Sequence, residues 1–234
     1  MSVPKILIPE DEAIRLQTLR RYDVIHSLYE TVFDEFVALT ARIFNLPISL
    51  IALVDEKQVY YPANYGMPGN KVQAREESLC STAVVRNRAV VYKDLLIEQD
   101  PFITVQAAQA AQNNRIRFYA GAPLRMPDER SIGTLCIVDY NPRIFSPVEQ
   151  QVLEELAALI SETIVTRYRC KNQLRAGERR WQHICEQVQE EVQGLTALVR
   201  YLLTRYGTQV PVSEVILSQV GRRFQDVHEI LAVA

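Results

Sequence analysis

Cys80 is the residue of this sequence with the clearest potential for chemistry. It lies in the stretch EESLCSTAV, where an acidic turn leads into a short apolar segment that is predicted to be helical. A thiol at a helix N-terminus has a lowered pKa and becomes a nucleophile, whereas a buried cysteine can act only as a small apolar side chain. The sequence favours the second interpretation, because Glu76 and Glu77 disfavour a thiolate by like charge.

The other three cysteines predict neither a disulfide framework nor a metal centre. Cys136, Cys170 and Cys185 are widely spaced and form no CxxC pair, which argues against structural disulfides and against a zinc site. Cys136 lies in the middle of the apolar stretch GTLCIVD and is predicted to be buried. It is the only other candidate for a resolving thiol within the domain, and the predicted helix over 100–114 supplies no further cysteine.

The composition and net charge of the chain limit the functions that can be expected of it. The chain has 234 residues, of which 48% are hydrophobic and 23% charged, as is usual for a globular protein. Its 26 basic and 28 acidic residues give a formal net charge of -2, so no nucleic-acid partner is predicted. The N-terminal residues do not resemble a signal peptide, and no apolar run approaches the ~18 residues that span a membrane. We therefore expect a cytoplasmic protein without a membrane partner.

The middle of the chain predicts a sheet built from antiparallel hairpins. Two apolar hairpins are predicted, over residues 47–65 and 118–140, with the polar turns DEK and PDER. A short strand is predicted over 89–93. Helical patterns cover residues 10–28, 31–46, 78–87 and 100–114, the last with Asp100 as its N-cap and Pro101 in its first turn.

From residue 146 onward the chain is predicted to be helical. Ser146, Pro147 and Glu149 have the spacing of an N-cap, a first helical position and a capping box. An apolar series from Trp181 to Leu202, with steps of three and four, predicts a two-helix or coiled-coil seam within the core or between two chains. A last helix is predicted over 212–231. The fold class is therefore α+β, with a domain over residues 1–169 and a helical extension over 170–234 for dimerisation or signal relay.

Several stretches resemble a known family when they are read in order. They are RLQTLRRYDVI, FDEFVALTARIFNLPISLIALVDEKQVYYPANYGM, SLCSTAV, IRFYAGAPL, IGTLCIVDYNPR and FSPVEQQVLEELA. Together, over about residues 12–168, they resemble the GAF domains of bacterial signalling proteins, as found ahead of sensor histidine kinases and diguanylate cyclases. The resemblance implies an antiparallel sheet of about six strands with helices on both faces. The first and last helices commonly lie on one face, in a dimer interface, and the other face commonly holds a small-molecule pocket.

The resemblance also implies a function and a candidate site. The function is a non-catalytic, cytoplasmic sensory or regulatory module of signal transduction, as in two-component systems, that binds a small molecule and forms a homodimer. A separate signalling output protein is an implied partner. The candidate pocket residues are Tyr61, Cys80, Phe102, Tyr119 and Cys136. No catalytic residue, metal ligand or particular cofactor is predicted.

Three other GAF-type activities depend on residues that are weakly represented here. A covalent linear tetrapyrrole commonly needs a histidine after its cysteine, but Ser81 follows Cys80, and no histidine lies between residues 47 and 140. A cyclic-nucleotide site has an Asn-Lys, Phe and Asp-Glu signature that is absent, and only Arg117 offers charge. A thiol-dependent reductase of free methionine sulfoxide would use Cys80 as nucleophile and a second cysteine to resolve the sulfenic acid. We retain this reductase as the enzyme alternative.

Two further interpretations are structural. The pocket can be filled by the protein's own bulky side chains, for which Tyr60, Tyr61, Phe102, Phe118 and Tyr119 are available. The pair His228-Glu229 resembles the surroundings of a phospho-accepting histidine in kinase dimerisation helices. A surface histidine is the simpler interpretation, because no Gly-rich nucleotide motif accompanies it.

Overall fold

A six-stranded antiparallel sheet forms the centre of the molecule. The structure is a computed structural model that describes residues 3–25, 28–69, 71–173 and 176–232. The strands are β1 (Ile48–Val54), β2 (Gln58–Tyr65), β3 (Val72–Ala74), β4 (Val90–Tyr92), β5 (Phe118–Arg125) and β6 (Ser131–Asp139). Their order across the sheet is β3-β2-β1-β6-β5-β4, and every neighbouring pair is antiparallel. Both predicted hairpins are confirmed, and β3 is an edge strand too short to leave a periodic pattern in the sequence.

Helices cover both faces of this sheet. They are α1 (Glu12–Arg21), α2 (Thr31–Ile43), α3 (Cys80–Arg86), α4 (Val105–Asn113), α5 (Pro147–Lys171), α6 (Gly177–Tyr206) and α7 (Glu214–Ala232). The helices α2 and α5 pack on one face, α3 and α4 cover the other, and α6 and α7 pack outside α2 and α5. The α+β class with about six strands is confirmed. Within the described ranges, no helix combines the length and hydrophobicity needed to cross a membrane.

The alternation of side chains along the strands separates two apolar cores. In β1, Leu50 and Ala52 belong to the core under α3 and α4, whereas Ile51 and Leu53 belong to the core under α2 and α5. Because every residue of β1 is buried, the strand has a continuous apolar sequence instead of an alternating one. The same alternation in β6 directs Cys136 towards α3.

The predicted start of the helix over 100–114 is wrong. The helix α4 begins at Val105, and its N-cap is Thr104, whose hydroxyl accepts a 3.0 Å hydrogen bond from the Ala107 amide. Asp100 instead accepts hydrogen bonds from the Arg86 guanidinium at 2.5 Å and from the Phe102 amide at 2.9 Å. Because its carboxylate pairs with Arg86 and stabilises a local turn, the chain does not become helical until five residues later.

The predicted capping box at the start of α5 is confirmed. The Ser146 hydroxyl accepts from the Glu149 amide at 3.1 Å, and Glu149 Oε2 accepts from the Ser146 amide at 2.7 Å. Glu149 is fully buried, and its Oε1 also accepts from Arg143 Nη2 at 2.7 Å and from the Val212 amide at 3.0 Å. A single carboxylate therefore connects the segment after β6, the start of α5 and the linker between α6 and α7.

The predicted apolar seam of the C-terminal helices lies inside one chain. Its members are all buried in the core that α6 shares with α2, α5 and α7; they are Trp181, Ile184, Val188, Val192, Leu195, Val199 and Leu202. The break between α5 and α6 allows α6 to fold back along α2 instead of continuing as a long helix. The stripe is therefore used for packing within the monomer.

Glu30 holds the N-terminal end of α6 in place. Its Oε1 accepts a 2.6 Å hydrogen bond from Arg167 Nε and lies 3.2 Å from Lys171 Nζ, and its Oε2 accepts a 2.6 Å hydrogen bond from Trp181 Nε1. Burial raises the pKa of Glu30, but the hydrogen bonds from Arg167 and Trp181 and the charges of Arg167 and Lys171 outweigh it. The pKa is therefore below its usual value.

We expect the Glu30→Gln variant to lose about 1–3 kcal/mol of stability at neutral pH, as for other hydrogen bonds to charged groups. A lowered folded-state pKa stabilises the protein above the unfolded carboxyl pKa of about 4.3, and this contribution is lost as pH falls through the folded value. The difference between wild type and variant should therefore be full at pH 7 and shrink below the unfolded pKa.

The single tryptophan, Trp181, gives this prediction a direct readout. It is 3% exposed beside Glu30, so its fluorescence during urea unfolding at several pH values reports the docking of α6. The Glu178→Gln variant, at an exposed position in the first turn of the same helix, should match wild type. A difference between wild type and Glu30→Gln that is independent of pH would contradict the assignment.

Candidate functional site

Two thiols that are 56 residues apart in the sequence meet beneath α3. Cys80 is the first residue of α3, Cys136 lies in the middle of β6, and their sulfur atoms are 3.8 Å apart. Both side chains are buried. The only other thiol of the domain is therefore adjacent to Cys80, because the sheet places β6 directly under the helix that carries Cys80.

A cavity of about 60 Å³ adjoins the two thiols. It lies between the sheet and the roof helices, α3 and α4, and Tyr61, Cys80, Tyr119 and Cys136 all line it. Its remaining lining residues include some on the protein surface, such as Glu77 and Asn114. The cavity therefore connects the buried thiols with solvent.

Phe102 is the predicted pocket residue that the structure places elsewhere. It lines a different groove, on the outer side of α3, together with Val84 and Val85. The guanidinium of Arg86 lies over its ring, 4.5 Å from the centroid. Since α4 begins only at Val105, Phe102 belongs to the turn before the helix and does not reach the cavity.

The hydroxyl groups around the cavity differ in whether they have a hydrogen-bond partner. Tyr61 Oη donates to Gln73 Oε1 at 2.8 Å and lies 3.2 Å from Ser78 Oγ, which in turn accepts from the Cys80 amide at 3.3 Å. By contrast, the buried hydroxyl of Tyr119 makes no hydrogen bond of normal geometry to any described group. An unsatisfied buried polar atom is unusual in a native structure. The cavity therefore presents, beside the two sulfur atoms, a hydroxyl that interacts with Cys80 and Thr134 without a hydrogen bond of normal geometry to either.

The electrostatic surroundings give the two thiols different acidities. The hydrogen bond with Cys136 lowers the pKa of Cys80 to about 6, with further help from the Thr134, Tyr119 and Ser78 hydroxyls against the effect of burial. The same contact with Cys80, together with burial, raises the pKa of Cys136 well above its usual value. Of the two thiols, Cys80 is therefore the one that loses its proton more readily. Glu76 and Glu77, whose like charge was expected to disfavour a thiolate, are not among the main influences on this pKa.

Gly121 is a site residue that the sequence did not identify. It lies opposite Cys136 in the pairing of β5 with β6, and a Cβ atom there would approach Tyr119 Oη to 2.4 Å and Cζ to 2.9 Å. The glycine therefore provides the space in which the Tyr119 hydroxyl lies. An isolated glycine within a strand pattern is the signal that indicates such a close approach.

Histidine, cysteine and carboxylate side chains do not gather into a metal site in the part of the chain that the structure describes: no three of them come together in an arrangement that could hold an ion. The polar groups that line the cavity are thiols, hydroxyls, amides and one carboxylate, Glu77, and none of the lining residues is basic.

A sheet of six antiparallel strands, with a cavity between one face and two short roof helices, defines an α+β domain with an internal pocket. The sequence profile of the family described as GAF domain matches residues 25–165, which is more than half of the chain. The chain belongs to the GAF domain family, which confirms the resemblance drawn from the sequence.

One curated relative is a much longer protein, and this chain matches only part of it. The chain is 28% identical over 165 residues to a cyclic di-GMP phosphodiesterase of Pseudomonas aeruginosa, covering 68% of this chain and 26% of that protein. It therefore spans about a quarter of the length of this curated relative.

Solved structures of GAF domains are also similar. The GAF domain of an Acinetobacter phosphoenolpyruvate-protein phosphotransferase is 21% identical with a TM-score of 0.49, covering 68% of this chain and 98% of that one. The free methionine-R-sulfoxide reductase of Neisseria meningitidis is 18% identical with a TM-score of 0.47, covering 69% of this chain and 91% of that one.

Proposed function

We propose that this chain is a non-catalytic sensory or regulatory GAF module of cytoplasmic signal transduction that binds a small polar molecule in the cavity. The carrying observation is the cavity itself, where the two thiols and the Tyr119 hydroxyl, which makes no hydrogen bond of normal geometry, face the same space. The match to one segment of a much longer cyclic di-GMP phosphodiesterase supports a regulatory role beside a separate output activity. A signalling output protein, as in two-component systems, is the proposed partner.

The dimensions of the cavity define the class of ligand. A volume of about 60 Å³ holds only a few water-sized molecules, so the ligand has few non-hydrogen atoms. Since no lining residue is basic and Glu77 lies at the rim, the site favours a neutral ligand over a phosphate-bearing one. A larger ligand requires α4 to move away from the sheet.

The sheet provides a path from the cavity to the C-terminal helices. Cys136 faces the cavity, while its neighbours Leu135 and Ile137 belong to the core that contains α5. A ligand shifts such a structure only if it binds two arrangements with different affinities. Because Glu149 fixes the start of α5 to the linker before α7, a movement of α5 is passed to α6 and α7 together.

The proposal includes a homodimer. Because the Trp181–Leu202 stripe is buried within one chain, the two copies must meet through other surfaces of the helices. Sedimentation velocity over a range of concentrations tests this point, and a monomer at high concentration would remove the dimer from the proposal.

We expect the purified chain to bind a small polar molecule in native mass spectrometry or in a thermal-shift screen, and Gly121→Ala to abolish that binding. The added methyl group forces the Tyr119 ring out of its position and into the cavity. At a ligand concentration of 100 times Kd, binding should add about 2.7 kcal/mol of stability to wild type.

The matched control is Gly194→Ala, at an exposed position of α6 where an added Cβ meets no atom within 4 Å. This variant should bind as wild type does. A wild-type chain that retains no ligand and responds to no small polar molecule would contradict the proposal. The cavity would then be a structural feature that Tyr61 and Tyr119 largely fill.

A reductase of free methionine sulfoxide is the second candidate, and the 3.8 Å separation of Cys80 and Cys136 is the observation in its favour. The cavity is much smaller than that amino acid, so we expect no turnover with a thiol reductant. Turnover by wild type that Cys80→Ser abolishes would establish the reductase instead.

A further inference from the structure

The thiol pair, Cys80 and Cys136, has the arrangement that a two-step oxidation requires. The two sulfur atoms are 3.8 Å apart, whereas a disulfide has a sulfur–sulfur distance of about 2.05 Å. One thiol is on a short helix of seven residues and the other on a central strand. Closing the remaining distance requires only a small displacement of α3 towards β6, since the strand is fixed by neighbours on both sides.

The two thiols also differ in acidity, and therefore in the part that each can take in an oxidation. Cys80 has the lowered pKa and is the more readily deprotonated of the pair, whereas the raised pKa of Cys136 favours its thiol form. A thiolate is the form that attacks peroxides and disulfides. Cys185 serves as an internal comparison, because burial raises its pKa to about 12.

The cavity admits small oxidants and excludes large ones. Hydrogen peroxide is close to water in size, and a volume of about 60 Å³ accepts it beside both sulfur atoms. The Tyr119 hydroxyl lines the same space, makes no hydrogen bond of normal geometry to a described group, and can hydrogen-bond a peroxide oxygen. The opening beside Glu77 and Asn114 gives such a molecule access to thiols that are themselves buried.

We propose that Cys80 and Cys136 form a redox-sensitive modification site, at which a small hydroperoxide converts the two thiols into an intramolecular disulfide. The Cys80 thiolate attacks one peroxide oxygen, the O–O bond breaks, and the released alkoxide or hydroxide takes up a proton. The Cys80 sulfenic acid then reacts with Cys136: the S–S bond forms, the S–O bond breaks, and the hydroxyl leaves as water with the Cys136 proton. Two thiols are oxidised, and one peroxide is reduced to water and an alcohol, or to two water molecules.

The disulfide also has a consequence for the cavity, and this part rests on the proposed function. Joining α3 to β6 removes the space between the two sulfur atoms and fixes a roof helix on the sheet. The oxidised protein should therefore bind the small polar ligand more weakly than the reduced protein. Oxidation would thus be a second input to the same module.

The test treats the reduced, purified chain with hydrogen peroxide, blocks remaining thiols under denaturing conditions with N-ethylmaleimide, and maps the peptides by mass spectrometry. We expect one cross-linked species joining Cys80 and Cys136, with Cys170 and Cys185 still alkylated, and full reversal by dithiothreitol. Cys80 should be oxidised at least roughly tenfold faster than Cys185, since thiolate content controls the rate.

Variants separate the two steps. Cys136→Ser should stop at a sulfenic acid on Cys80 that dimedone traps, Cys80→Ser should leave Cys136 unoxidised, and Cys185→Ser should behave as wild type. Oxidation that begins at Cys170 or Cys185, or a wild type that stays alkylated at Cys80 and Cys136, would overturn the proposal. The wild-type peptide map decides the question even if a variant fails to fold. A missing cross-link with retained ligand refutes only the redox site, and a cross-link without any ligand refutes only the binding function.

Discussion

We expect the Glu149→Gln variant to lose about 3–5 kcal/mol of stability and to loosen the C-terminal helices from the sheet domain. Glu149 is fully buried. Nη2 of Arg143, which is also buried, lies 2.7 Å from Glu149 Oε1. Removing one member of a buried ion pair costs this much because the remaining charge is left uncompensated. The glutamine side chain also places an N–H donor opposite the backbone N–H of Ser146. In the wild type this N–H donates to Glu149 Oε2.

The loss of stability should be largest at the contacts through which the Glu149 carboxylate connects distant segments. Glu149 Oε1 accepts from the Val212 amide, in the linker between α6 and α7. Hydrogen exchange at Val212 should therefore accelerate in the variant, and the unfolding transition followed by Trp181 fluorescence should move to lower urea concentration.

The matched control is Glu154→Gln, at an exposed position on the same helix, where the carboxylate accepts a hydrogen bond from Gln150. Its stability should stay within about 0.5 kcal/mol of wild type. If Glu149→Gln is as mild as this control, the buried carboxylate does not couple the C-terminal helices to the sheet, and the relay through α5 loses its anchor.

The Gly133→Ala variant should lose about 4 kcal/mol or more, or fail to fold, which is an exceptionally large effect for one methyl group. A Cβ atom at this position would lie 1.9 Å from the Ala52 carbonyl oxygen and 3.0 Å from Leu53 Cα. Both neighbours are backbone atoms of the central strand β1, so no side chain can rotate away. The strands β1 and β6 would have to separate and lose part of their hydrogen-bond ladder.

The consequence for the site follows from the position of Gly133 on β6, three residues before Cys136. A displaced β6 should change the separation of the thiol pair, so the rate at which a thiol reagent modifies Cys80 should also change. Gly194→Ala is the control, because it adds the same methyl group on α6, where no atom lies within 4 Å of it. There the better helix propensity of alanine should stabilise the protein by up to about 1 kcal/mol. A Gly133→Ala variant that loses less than about 1 kcal/mol would show that the strands accommodate the methyl group.

Local sequence patterns were sufficient for most of the secondary structure. The apolar stretch around Leu50 predicted a strand covered on both faces, and the order of Ser146, Pro147 and Glu149 predicted a helix start, because these signals depend on residues only a few positions apart. The start of α4 was misjudged for the same reason. Asp100 has the type and position of an N-cap, but its carboxylate is engaged by Arg86 from α3.

The family, the α+β class and four members of the candidate site, Tyr61, Cys80, Tyr119 and Cys136, could thus be predicted before the structure. The fold class depends on residue type and on periodicity, which are properties of short segments, whereas the family and the four site residues came from the resemblance to GAF domains. The 3.8 Å separation of the Cys80 and Cys136 sulfur atoms, and the burial of the apolar stripe of α6 within one chain, became known only from the three-dimensional arrangement. Such contacts join segments far apart in the sequence, and they are fixed by strand order and helix packing, which no local pattern encodes. The chemistry of Cys80 depends on these contacts, since a thiolate at this position is stabilised by a residue from the other side of the domain.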